Sequence, residues 1–86
     1  MKVGEIWAAV NSISIDTEKK NLQFEYIISA GQKVKILKLV SIEPLDNRSV
    51  WATMIVFEEI GEEFTTWFLE MDYFCRNFKK VYDKNR

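Results

Sequence analysis

Four glutamates within six residues, Glu58, Glu59, Glu62 and Glu63, form the densest group of chemically capable side chains in the sequence. Such a group can hold a hard cation or act as an acid/base pair. A cation site needs six or more oxygens converging on one point. A short turn between strands splays its side chains instead, so the quartet reads as the solvated tip of a hairpin. Three lysines, Lys33, Lys35 and Lys38, form a second group. With Tyr or Trp nearby they would suit the phosphate-tracking surfaces of small barrels that bind nucleic acid. The plainer account makes them the exposed positions of a half-buried strand, where lysine also discourages edge pairing. Cys75 is the one cysteine and there is no histidine. The commonest general base and metal ligand is therefore missing, and Cys75 has no histidine to activate it. One thiol cannot build a thiolate zinc site within one chain. The three glycines stand too far apart for a phosphate-cradling loop. These residue types point away from an enzyme, and no cofactor or metal is expected.

The elements that position these groups must fit into 86 residues, one domain spanning 1–86. A chain of this size buries roughly 60–65% of the surface it exposes when unfolded, enough for one modest core. Hydrophobic residues make up 48%, which excludes global disorder. The net charge of −1 gives no overall pull toward nucleic acid or anionic membrane. Glu58 to Asp72 nevertheless holds six acids and no base, and Tyr73 to Arg86 holds five bases and one acid. A single cysteine fits a reducing compartment. The opening Met-Lys-Val-Gly-Glu-Ile-Trp lacks a signal-peptide apolar run, and no stretch approaches the ~20 apolar residues that span a bilayer. A cytoplasmic protein with no membrane contact is expected.

Period-two alternation dominates the chain up to Leu69. Val3 to Val10 reads as a first strand, with Ile13 and Ile15 resuming in the opposite parity. Asp16 to Asn21 reads as a polar loop. Leu22, Phe24, Tyr26 and Ile28 alternate cleanly with polar residues, and this strand should pair antiparallel with Ile13–Ile15. Gly31 supplies a turn into a central strand. There Val34 and Ile36 alternate with Lys33 and Lys35 until the phase slips at Leu37, which signals a bulge. Pro44 ends that strand. Val50 to Phe57 and Phe64 to Leu69 form a hairpin around Gly61. From Glu70 to Lys79 the period changes. Met71, Phe74 and Phe78 fall at helical spacing, with Cys75 read as a small buried hydrophobe, and Val81 and Tyr82 as a last short strand. Phe24, Ile36, Phe74 and Phe78 are the expected shared core.

Three pieces coincide: Val3-Gly4-Glu5-Ile6-Trp7, Gly31-x-x-Val34-x-Ile36, and Phe74-x-x-x-Phe78-Lys79-Lys80-Val81-Tyr82. Together they resemble the small Src-homology-3-like barrel proteins of bacteriophages and mobile elements. The resemblance implies a mainly β, strongly bent antiparallel barrel with one short C-terminal helix. It also implies an accessory protein that binds and modulates or inhibits a host factor, such as a defence or regulatory protein. The stretch from Asn11 to Leu22 is longer than that group's pattern.

The working surface is expected on the second hairpin. Val50 to Phe57 is apolar in both parities, and a one-domain sheet has only one face for its core. The candidate partner-binding residues are Trp51, Ile55, Phe57 and Trp67 at the centre, with Glu58, Glu59, Glu62 and Glu63 at the rim. The partner is a host protein or a second copy of the chain. The alternative is a nucleic-acid-binding barrel using Lys33, Lys35 and Lys38.

Overall fold

The computed structural model describes residues 1–19, 22–42, 52–62 and 65–82. Among these residues seven strands and one helix follow in order: β1 (Ile6–Ala9), β2 (Ile13–Lys19), β3 (Leu22–Ile28), β4 (Lys33–Ile42), β5 (Ala52–Glu59), β6 (Thr66–Glu70), α1 (Met71–Asn77) and β7 (Phe78–Lys80). Five strands form one sheet in the order β6-β5-β4-β1-β7, and β2 and β3 form a separate two-stranded ribbon. Every pairing is antiparallel.

The central strand is built as its phase slip requires. Up to Ile36 it pairs with Phe57 and beyond it with Lys38 opposite Val56, so Leu37 is the extra residue of a bulge. Gly31 enters this strand at φ +94°, a left-handed conformation that glycine adopts without strain. Its N–H donates to the Ala9 carbonyl at 2.7 Å, tying the turn to β1.

β6 and β7 are opposite edges of the sheet, and α1 carries the chain between them. Flat, the two edges would lie ~19 Å apart at ~4.8 Å per strand. Seven helical residues rise only ~10 Å. The sheet therefore has to roll, and α1 closes over its open end. Among the described residues no ladder joins β6 to β7, so the architecture is an open, strongly bent sheet and the expected closed barrel is not formed by hydrogen bonds.

The core fills the roll. Phe57, Phe74, Ile28, Ile36, Ile55 and Val34 are fully buried, with Ala9, Ile13 and Phe78 beside them. The Phe74 and Phe78 rings stack at 4.3 Å, and Phe57 lies 5.4 and 5.6 Å from them. Trp7 meets the Phe74 ring edge-on at 5.4 Å. Of the expected core set, Ile36, Phe74 and Phe78 are buried together, and the side chain of Phe24 lies outside the described residues. Glu70 caps α1, its carboxylate accepting from the Tyr73 N–H at 3.2 Å.

Several expectations are corrected. Asp16 to Lys19 is strand, not loop, because each residue finds a partner on β3, from Asp16 opposite Glu25 to Lys19 opposite Leu22. The last strand begins at Phe78, inside the stretch read as helical, because Phe78 pairs with Ala9 of β1. Cys75 is exposed, since the Met71–Phe74–Phe78 stripe faces the core and the next residue along points away from it. Among the described residues no helix is long and apolar enough to cross a membrane.

Candidate partner-binding groove

The register decides which face each candidate takes. Ile36, Phe57 and Trp67 stand opposite one another on the core side, as do Leu39, Ile55 and Leu69. On the outer side Lys38, Val56 and Phe68 form a row, flanked by Lys35–Glu58–Thr66 and Val40–Met54–Glu70. Ile55 and Phe57 are fully buried and cannot meet a partner, which corrects the sequence reading. β5 is apolar in both parities, and the core takes the parity with the bulky Phe57 and Ile55. Met54 and Val56 remain half-exposed outside. Trp51 and Glu63 lie outside the described residues.

The acidic quartet is divided by the same parity rule. Glu58 lies on the outer face opposite Lys35. Glu62 is exposed in the turn around Gly61. Glu59 is not at the rim: it continues the core side of β5 and is only 5% exposed. Its Oε2 accepts from the Tyr26 hydroxyl at 2.9 Å, a link between the β2–β3 ribbon and the sheet. Burial pushes the Glu59 carboxyl above its ordinary value, against the Tyr26 hydrogen bond and the nearby Trp67 indole, with Glu62 adding to the rise. Glu59 Oε1 and Trp67 Nε1 nevertheless have no hydrogen-bond partner among the described residues. Burial, together with the Glu59 carboxylate, also raises the Tyr26 hydroxyl. Tyr26 stacks on Trp67 with ring centroids 4.6 Å apart.

Beside this stack runs a groove of about 360 Å³, lined by Ile15 and Asp16 of β2 and by Thr66, Trp67 and Phe68 of β6. Phe68 is 65% exposed, a large apolar surface to leave in water. Of the sequence candidates among the described residues, only Trp67 lines this groove. Tyr26, Ile15, Asp16, Thr66 and Phe68 were missed. The Ile15–Tyr26 pairing was implicit in the alternation of the first ribbon, but nothing local shows that this ribbon lies against β6.

Lys33, Lys35 and Lys38 are all exposed on the outer side of β4. Lys33 and Lys79 flank Ala8 across three strands, which enlarges the basic surface on the β1 side. Among the described residues no three His, Cys, Asp or Glu side chains converge as metal ligands would. Set against known proteins, the chain matches no family model, no curated protein and no solved structure.

Proposed function

We propose that this chain is a non-enzymatic protein-binding module, an accessory protein of the phage or mobile-element type that modulates a host factor in the host cytoplasm. The observation that carries this reading is the groove between β2 and β6, where a half-buried Trp67 and a largely exposed Phe68 face an acidic wall residue, Asp16. Exposed aromatics beside charge are what protein contact sites use. The strand order supports the resemblance to a Src-homology-3-like barrel, because the first strand lies between the central and last strands and a short helix links the two edges.

The test is affinity purification from a bacterial lysate with the parent chain and with Phe68→Asp, each with and without nuclease. A protein retained in both nuclease conditions and lost with Phe68→Asp supports the reading. Equal retention by both chains sinks the groove as the site.

The second reading, nucleic-acid binding, is favoured by the alignment of Lys33, Lys35 and Lys38 on one face with Lys79 beyond them. Recovery that vanishes with nuclease, and is insensitive to Phe68→Asp, would move the function there.

A further inference from the structure

The two edges of the main sheet are protected very differently. β7 is three residues long and two of them are lysines, the usual means of keeping a strand edge from pairing. β6 reads Thr-Trp-Phe-Leu-Glu, with no lysine, no proline and no bulge against β5. Among the described residues its one neighbour in the sheet is β5.

The direction of its free backbone follows from one hydrogen bond. The Glu59 N–H donates to the Thr65 carbonyl at 3.1 Å, so the backbone of Thr65 points at β5. Antiparallel ladders alternate, so Trp67 and Leu69 also point at β5, and the N–H and C=O groups of Thr66 and Phe68 point away from it. These are the residues that form one wall of the groove. Among the described residues the groove is therefore a strand edge with unpaired donors and acceptors, bordered by two aromatic rings.

Charge selects among the possible occupants. The segment from Glu58 to Asp72 contains six acids and no base. Asp16 forms the facing wall, and Glu62 lies near enough to Tyr26 and Glu59 to influence both. A second copy adding its own β6 would bring Glu62, Glu70 and Asp72 toward their counterparts, like charge against like.

We infer that the free edge of β6 takes a basic, extended segment of a partner protein as an added strand, with its apolar side chains on the outer face against Phe68 and its cationic ones on the other face, toward Asp16 and Glu62. Strand addition of this kind takes affinity from main-chain hydrogen bonds and specificity from alternate side chains. The inference rests on the protein-binding reading and supplies the class of partner.

The experiment selects binders to the full chain from a random nine-residue peptide library and measures the affinity of the best ones. The expected result is enrichment of lysine or arginine alternating with apolar residues, and affinity that falls as salt rises. Thr66→Pro removes an outward N–H and leaves the β5 ladder intact, as edge positions allow. It should weaken the selected peptide at least tenfold. N-methylation of alternate peptide residues should do the same on the parent chain, where folding of a variant is not in question. Enrichment of acidic or proline-rich sequences, absence of any selected sequence, or indifference to both backbone changes would overturn the inference. A concentration-dependent dimer abolished by Thr66→Pro would also overturn it, assigning the edge to a second copy. If no peptide binds but a lysate protein is still lost with Phe68→Asp, the protein-binding reading stands and the strand-addition inference falls.

Discussion

Glu59 is a carboxylic acid in a position that the sheet reserves for core side chains. The folded protein holds its proton more tightly than the unfolded chain does, because burial disfavours the charged form. The stability linked to that proton is fully present below the ordinary carboxylate value of 4.5 and is lost as pH rises through the raised folded value. Glu5 works in the opposite sense. Its Oε2 lies 2.7 Å from the Lys80 ammonium, joining β7 to the residue before β1. The Lys80 hydrogen bond, with the Lys2 N–H, holds it down to about 2. Its contribution is present above 4.5 and is lost as pH falls toward 2. Melting temperature should therefore fall on both sides of a mildly acidic maximum. Thermal scans across pH check this: Glu59→Gln should flatten the alkaline limb and Glu5→Gln the acidic limb. A parent profile that stays level at every pH above 4.5 would contradict the Glu59 half.

At the scale of elements, Phe74 of α1 anchors the helix in one aromatic cluster with Trp7, Phe57 and Phe78. Phe74→Ala should cost about 3–5 kcal/mol, as for other buried phenylalanines. A domain of this length has roughly 4–13 kcal/mol in all. Denaturant unfolding measures the difference. A melting temperature within a degree or two of the parent would mean that the helix is not packed as described. The legibility of the elements varied for physical reasons. β3 was readable because Leu22 to Ile28 alternates on a half-buried ribbon, and the bulge at Leu37 because a phase slip has few other causes. The strand character of Asp16 to Lys19 was hidden, since it comes from pairing with β3 and not from its own side chains. Phe78 kept helical spacing from Phe74 yet sits in a strand, because its backbone is claimed by Ala9. The site was the least legible part. Two apolar parities in β5 cannot be ranked without knowing which one the helix covers, and the β2 wall of the groove is set by a contact between distant segments.

At the scale of the whole molecule, a net charge of −1 conceals two unlike territories: acids along the end of β5, β6 and the start of α1, and lysines on β4 and β7 to either side of β1. Binding of a generic single-stranded oligonucleotide at physiological salt should be weak. A titration over increasing salt checks this, and tight binding that collapses with salt and with Lys35→Glu would place the function on the lysine face. The arrangement of β1 has a further effect, on how the protein is made. Its two neighbours are β4 and β7, and Trp7 faces Lys80 across roughly seventy residues of chain. Closing so long a loop is slow, and the closing partner is made after every other described strand. While synthesis is under way, β1 presents one bare edge to its surroundings, and Glu5 waits for the ammonium that will neutralise it. A chain stopped after Asn77 reproduces that interval permanently. Expressed alone, it should be found in the insoluble fraction or bound to chaperones, and a synthetic peptide carrying Phe78 to Tyr82 should restore part of its solubility when supplied during refolding.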